Sequence, residues 1–357
     1  MSKYLHVIGT SNLVAKHFPN FISENFPAEE HSFLIIGDKV SPKELPDGAA
    51  IIPSYDRKAV ISHIRKSTYV FFHGLSLSTV TKLQLLLPGY RKKLIWVAWG
   101  ADLYEGHTQK GIIQKTKRCI DRLFKARILH FVGIFKPDID YFRKKYGSKA
   151  QTFFAKYAAG SQTRNPVYNE PPVLRTCADR IRDGQTINIV IGHQANPLLN
   201  HCTVLDWLSR FIDENIHIYL PLSYGDAENA QQVSEYAQQL FGNKVTVLRD
   251  YLSLREYMDI LKDMDIAIFH IDRQIGLGNI YPLMYMQKKI YMKSDGVMYR
   301  YFKSEGIDIF PSEQLQDITF HEFVRDANMS NATQFIIELQ DTDANRSRWQ
   351  TVFSSLQ

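Results

Sequence analysis

The chain has 357 residues, 45% hydrophobic and 22% charged, with a formal net charge of +6; the length favours two domains of ordinary size, each able to bury its own core. No apolar run approaches the roughly 20 residues that span a bilayer, which argues against an integral membrane protein, and MSKYLHVIGTSN enters a strand-like run with neither an h-region nor a cleavage site, so secretion is not expected. Cys119, Cys177 and Cys202 are odd in number and lack CxxC spacing, so neither a disulfide framework nor a zinc site is indicated, and a reducing cytoplasm fits.

In the first half, apolar runs of strand length fall at 4–8, 32–36, 50–52, 69–72, 94–98 and 128–132, separated by longer amphipathic stretches. That alternation is the pattern of an α/β domain with a parallel sheet. Several runs end in polar or glycine-bearing turns: HVIGTSN, FLIIGDK, VFFHGLS and VAWGADLYE. Ligands of open α/β sheets bind outside the carboxyl ends of the strands, so these turns are where chemistry is expected. Between 110 and 127, Lys110, Lys115, Lys117, Arg118, Arg122, Lys125 and Arg127 face the single acid Asp121. Ile112, Ile113, Ile120, Leu123 and Phe124 are interleaved at helical spacing. Such a helix packs one face on its own domain, lies on an anionic membrane surface, or does both.

Prolines and a loss of regular spacing mark 161–185 as a linker between a first domain at 1–160 and a second at 186–332. In the second domain, strands are expected at 186–191, 217–221, 244–248, 266–270 and 289–292. Helices are expected at 203–214, 227–241 and 253–263, with another opening near Gly278. The 253–263 helix carries a capping-box signature, Ser253 with Glu256. The tail, 333–357, reads as helical and suits packing back across the domains.

The stretch IFHIDRQIGLGN places Arg273, Gln274, Gly276, Gly278 and Asn279 between a strand end and a helix start. Glycines admit close backbone approach and the helix start offers free N–H groups, so with Arg273 these residues suit a diphosphate without a metal. An ordinary strand-to-helix turn uses the same glycines for geometry alone. The turn holding Gly192, His193 and Asn196 either contacts the phosphate or sugar of the same ligand or is a capped loop with an incidental histidine, and Ser223 and Tyr224, beyond a strand bearing Tyr219, point polar groups toward what the domain binds. Tyr251, beside Leu252, is placed to stack on a base or simply to pack. Neither GxGxxG on the first strand nor a Walker pattern is present, which weighs against nicotinamide chemistry and an ATPase; no cofactor is expected.

The order of the second half resembles the donor-binding domain of GT-B glycosyltransferases. More specifically, FFHG (71–74), WGADLYE (99–105) and RQIGLGN (273–279) look like the TDP-N-acetylfucosamine:lipid II N-acetylfucosaminyltransferases. The resemblance covers about 4–292. It implies two Rossmann-like domains facing each other across a cleft, a TDP-sugar donor held by the second, and a polyprenyl-diphosphate-linked oligosaccharide acceptor at the first, in enterobacterial common antigen synthesis. Acceptor contacts are then expected from Gly9, Thr10, Ser11, Gly74, Trp99, Gly100 and Tyr104. The general base would be Asp102, followed by Glu105 and His73; Asp102 equally suits a cap on a helix starting at Leu103. Many retaining GT-B enzymes carry a glutamate after the glycine turn, but here the stretch reads NIYPLMY, which leaves the stereochemistry open. A membrane-borne acceptor implies a cytoplasmic protein held peripherally on the anionic inner face of the inner membrane. Rival readings are a GT-B transferase using another nucleotide sugar for O-antigen or capsule, and a GT-B-fold sugar epimerase. A nucleic-acid partner is not expected, because the basic residues form one cluster without a recognition motif.

Overall fold

A computed structural model describes residues 2–9, 14–37, 43, 45–46, 49–52, 55–104, 111–147, 149–157, 165–169, 171–172 and 175–356, with 14–16 as backbone only. The chain divides into two compact units: Met1–Arg164 with Leu339–Gln357, and Asn165–Glu338.

The first unit is built on seven strands: β1 (Tyr4–Gly9), β2 (His31–Ile36), β3 (Ala50–Ile52), β4 (Tyr69–His73), β5 (Leu94–Ala98), β6 (His130–Gly133) and β7 (Gln151–Phe154). They lie in the order β3-β2-β1-β4-β5-β6-β7, and every pairing is parallel. A parallel sheet must be covered on both faces, and β5 accordingly is buried at all five positions. Side chains alternate between faces. Tyr4, Ile8, Phe33, Ile35, Phe71, Ile95 and Val97 meet Phe18, Phe21 and Ile22 of the helix Val14–Asn25 on one face. Trp349, Val352 and Phe353 of the helix Thr342–Ser354 complete that layer. Two hydrogen bonds fix the returning helix, from Tyr4 Oη to Phe353 O (3.1 Å) and from Trp349 Nε1 to Lys156 O (2.9 Å). On the other face Trp96 meets Phe131 and Phe142 edge-on, the latter from the helix Lys136–Tyr146.

The second unit carries β8 (Ile187–Ile191), β9 (Ile216–Pro221), β10 (Val245–Leu248), β11 (Ile266–Phe269), β12 (Lys289–Met292) and β13 (Phe310–Pro311), ordered β10-β9-β8-β11-β12-β13 and again all parallel. Its core joins Ile187, Ile189 and Ile191 to Val204 and Leu208 of the helix His201–Leu208 and to Val233 and Phe241 of the helix Ala227–Phe241. The capping box of Ser253 and Glu256 is formed at the start of the helix Leu254–Lys262.

Two strands escape the sequence pattern. β7 is four residues long and mostly half-exposed, and β13 has two residues, so neither presents a strand-length apolar run. The expected single tail helix is two, Ser330–Gln340 and Thr342–Ser354. Asp341 divides them by accepting the Ala344 N–H (2.6 Å), the usual task of an N-cap carboxylate.

Asp138, in the first turn of the helix Lys136–Tyr146, is fully buried and accepts from Tyr104 Oη at 2.8 Å. Burial pushes its pKa up to about 7; the Tyr104 bond opposes the shift and the nearby Asp102 adds to it. The folded protein thus keeps this proton to about pH 7, whereas an unfolded aspartate releases it near 4. Stability is lost as pH rises through that window. Asp138→Asn removes the linkage while keeping the acceptor for Tyr104. In urea unfolding, D138N should match wild type at pH 4 and exceed it at pH 8, by about 4 kcal/mol at most. A difference that does not grow with pH would refute the assignment.

Candidate active site

In the first sheet the strand order reverses between β1 and β4, and in the second between β8 and β11. The carboxyl ends flanking such a switch point form the crevice where open α/β sheets bind ligands. Gly9, His73 and Gly74 lie there in the first unit; Gly192, His193 and His270 lie there in the second.

In the first unit, Asp102 braces two turns. Its Oδ1 accepts the Trp99 N–H (2.8 Å), and its Oδ2 accepts the Leu75 N–H (3.0 Å) and the Trp96 Nε1–H (2.6 Å). The turns after β4 and β5 are thereby tied together. Residues 101–104 form a turn closed by Leu103 and Tyr104 N–H bonds to Gly100 O, at 2.8 and 2.9 Å, so Asp102 does not cap a helix at Leu103. Burial raises its pKa, against the bonds from Trp96 and Trp99. The three donors occupy three of the carboxylate's four lone-pair sites. Gly74 has φ +79°, and a Cβ there would stand 3.2 Å from Trp99 Cε3; glycine lets the indole lie over the strand end. Tyr104 is buried with its hydroxyl on Asp138, so its polar group is used inside the unit.

His73 is also buried, with Nδ1 2.7 Å from Tyr157 Oη and Nε2 3.0 Å from His6 Nδ1. The Trp99 indole N–H donates to the same Tyr157 oxygen at 2.6 Å. Tyr157 follows β7, the short strand without a sequence signature, which is why the sequence does not point to it. Gly9 ends β1, with no atom within 4 Å of where a Cβ would be. Thr10, Ser11 and Glu105 lie outside the described residues.

In the second unit, three strand-end turns are locked together. Ala195 accepts the Asp226 N–H (3.0 Å) and donates to Tyr224 O (2.8 Å). Gly225, at φ +113°, permits this approach, since a Cβ there would stand 2.9 Å from the Ala195 carbonyl carbon. Asn200, in the left-handed region at φ 50°, sends its Nδ2 to His270 O (3.1 Å), joining the turns after β8 and β11. The helix Leu277–Tyr285 starts at Gly276, whose φ is +73° and whose Cβ would stand 2.7 Å from His193 Nδ1. A Cβ on Gly192, at φ +67°, would stand 2.7 Å from His201 Nε2. Neither glycine admits a side chain without displacing a histidine.

Around this glycine floor lie buried polar atoms with no protein partner: His193 Nδ1, both ring nitrogens of His201, Gln274 Oε1 and Asn279 Oδ1. Leaving such atoms unsatisfied costs about 1–3 kcal/mol each, which makes a polar ligand at this edge favourable. Burial holds His193 at about 3, with His201 adding to the shift, and His201 at about 4, so both imidazoles are neutral. Gly278 has no atom within 4 Å of a Cβ position, and the helix's first N–H groups have no intrahelical acceptor. Arg273 lies half-buried in the same turn.

Of the remaining expected donor contacts, Ser223 and Tyr224 sit in the turn after β9 and Tyr251 and Leu252 in the turn after β10, with Tyr251 84% exposed and Tyr224 52% exposed. Asn196 uses its side chain to cap the turn at Leu198 N (3.0 Å). Tyr219 lies within β9, paired with Val190 and Thr246, and feels Asp263 and Arg180 rather than the glycine turn. The structure does not bring it to the cluster. His201 is the residue that sequence reasoning left out of the site; its signal is the requirement for glycine at 192.

The fold is that of GT-B glycosyltransferases. Anabaena HepE in complex with UDP aligns at a TM-score of 0.69 with 11% identity, over 99% of this chain and 100% of the other. Sucrose-phosphate synthase from Thermosynechococcus elongatus aligns at 0.70 with 12% identity, over 99% of each chain. A Rickettsia africae glycosyltransferase aligns at 0.67 with 12% identity, over 99% and 98%. Residues 1–336 match the family model described as 4-alpha-L-fucosyltransferase, glycosyl transferase group 56. The chain therefore belongs to glycosyltransferase group 56 and is a transferase built from two Rossmann-like units.

Proposed function

We propose that the protein moves a 4-acetamido-4,6-dideoxygalactose-like sugar from a TDP-sugar to a polyprenyl-diphosphate-linked oligosaccharide, in synthesis of a surface polysaccharide of the enterobacterial common antigen type. The observation that carries the donor half is the glycine-floored helix start at Gly276, ringed by the unpartnered His193, Gln274 and Asn279 atoms. HepE has been solved with UDP-glucose as well as UDP, which supports a nucleotide-sugar donor here. The choice of TDP and of this sugar rests on the sequence resemblance.

In this reading the second unit holds the nucleotide. Tyr224 and Tyr251, exposed beside the site, offer ring faces to the base. As the bond from the anomeric carbon to the diphosphate breaks, negative charge grows on the leaving oxygens. The helix start at Leu277 and Gly278, Arg273, and an N–H of the neutral His193 ring stabilise it. The first unit presents the acceptor, with Asp102 as the brace that fixes Trp99 rather than as the base.

The acceptor's lipid gives the basic helix a task. In the helix Ile112–Ala126, Phe124 and Lys125 are buried, and Asp121 bridges Lys125 and Lys82. Ile112 and Ile113 are 83% and 71% exposed, and Val80, Leu83 and Leu87 nearby in sequence to Lys82 are exposed too. Exposed aliphatic groups beside Lys115, Lys117 and Arg118 suit peripheral docking on the anionic cytoplasmic leaflet. No helix among the described residues is long and apolar enough to cross a membrane.

Three measurements test these assignments. A panel of TDP-, UDP- and GDP-sugars, with and without lipid-linked acceptor, should release nucleotide only with its own donor and acceptor together. Release of nucleotide and an altered free sugar without acceptor would instead identify an epimerase. Gly278→Val should leave stability within about 0.5 kcal/mol yet weaken nucleotide binding at least about tenfold, because the side chain fills the helix start that the diphosphate needs. Unchanged nucleotide affinity would remove the diphosphate from that turn. Ile112→Glu with Ile113→Glu should lower sedimentation with phosphatidylglycerol vesicles about tenfold or more and leave donor binding unchanged; equal sedimentation would exclude this docking face.

A further inference from the structure

The first unit contains an unbroken line of side-chain hydrogen bonds that the donor chemistry does not use. Trp99 Nε1 lies 2.6 Å from Tyr157 Oη, Tyr157 Oη 2.7 Å from His73 Nδ1, His73 Nε2 3.0 Å from His6 Nδ1, and His6 Nε2 3.0 Å from His31 Nδ1. An indole N–H can only donate, so the Tyr157 oxygen accepts there, and its one phenolic proton is available to His73 Nδ1. With the phenolic proton so placed, His73 carries its own proton on Nε2 and donates to His6, and His6 does the same toward His31; the opposite run, with each ring protonated on Nδ1 and His73 donating to Tyr157, satisfies the same contacts. Burial, the leading cause in each, holds the pKa values of all three rings well below the usual histidine range.

The line has two distinct ends. His73 closes β4, and Trp99 and Tyr157 follow β5 and β7, at the carboxyl edge of the sheet; His31 opens β2 at the amino edge. His6 lies between them on β1, its ring stacked with Phe33 and Phe71 at 5.2 and 4.9 Å. Phenylalanine would fill such positions without needing any partner, and replacing buried polar groups by apolar ones of similar volume is often stabilising. Packing alone does not account for three imidazoles in register. Among the three histidines relative exposure is 0% at His6, 3% at His73 and 8% at His31, so a charge arriving at His31 is less buried than on either of the other two rings. Lys3, 3.8 Å from Glu30, is the cation that bears on His31, and Asp102 is the carboxylate that bears on Tyr157.

We propose that Tyr157 is the group that takes the acceptor's hydroxyl proton, and that the His73–His6–His31 line takes Tyr157's own proton in exchange. This rests on the glycosyltransferase reading. Tyr157 Oη, with one lone pair beyond its bonds to Trp99 and His73, accepts the acceptor O–H proton. Its former proton passes to His73 Nδ1, the His73 Nε2 proton passes to His6 Nδ1, and the His6 Nε2 proton passes to His31 Nδ1. His31 becomes the imidazolium and returns its Nε2 proton to water. The freed electron pair on the acceptor oxygen bonds the anomeric carbon, while the pair of the bond to the diphosphate leaves with the nucleotide. Tyr157 is the catalytic residue in this scheme, and the histidines are positioning residues that act through it.

Two experiments test the line, one without substrate. In ¹⁵N NMR of the free protein at pH 7, His6, His31 and His73 should all be neutral Nε2–H tautomers; an Nδ1–H tautomer or a cation at His6 or His73 overturns the relay. In kinetics, His6→Phe keeps the ring stack and cuts the line. It should lower kcat about 10²-fold or more with the donor KM unchanged, and abolish any solvent isotope effect on kcat that wild type shows. Tyr157→Phe should lose as much, and the double variant no more than either single one, because members of one unit are not additive. If His6→Phe does not fold, as judged by its thermal transition, His31→Gln, at the least buried of the three histidines, takes its place. Wild-type turnover with an unchanged kcat in the folded variant overturns the relay and leaves the transferase reading standing. Absence of wild-type nucleotide binding and turnover with every donor overturns the reading, and the relay with it.

Discussion

Parallel strand pairing is the constraint on which the rest of this molecule depends. A sheet made only of parallel strands must be covered on both faces, so the central strands of both units carry mostly apolar side chains. Apart from the histidines of β1 and β2, the polar groups of both sites gather at the carboxyl ends, where the chain leaves the sheet and can turn. Glycine at positive φ then decides how close two turns come, and at Gly276 and Gly192 what fills the space is a histidine ring.

The two sites manage polar atoms in opposite ways. In the first, Asp102 receives three donors, and the line from Trp99 to His31 is bonded at every step. In the second, buried nitrogens and oxygens at the glycine floor are left without protein partners. One arrangement is complete before anything binds, and the other is finished by a polar ligand. In the proposed function the first arrangement would serve the acceptor, whose direction must be preset, and the second the donor, whose charge must be received.

Much of this was legible in the sequence because the signals were strong and local. The long apolar runs gave β5 and β12 to the residue, and the capping box at Ser253 formed as its spacing implied. The glycine turn at 276–279 was visible because glycine, arginine and a helix start coincide. What stayed hidden was contact between distant segments. Nothing local says that the Asp102 carboxylate reaches back to Leu75, or that His6, His31 and His73 share one face of three strands. Tyr157 was out of view because β7 is too short to announce itself, and Tyr219 was misplaced because strand alternation, not proximity to a turn, decides where a side chain points.

The helix Thr342–Ser354 has a consequence for how the molecule is made. Its Trp349, Val352 and Phe353 belong to the core of the first unit, whereas the whole of the second unit is contiguous in sequence from 165 to 338. During synthesis the first sheet is therefore translated early but lacks part of one face until residues 349–356 emerge. The second unit can close its core in the meantime, so the order of completion reverses the order of translation. For that interval the aromatic face that includes the histidine line stands open, and a chain cut after residue 338 would carry a finished second unit and a first that cannot finish.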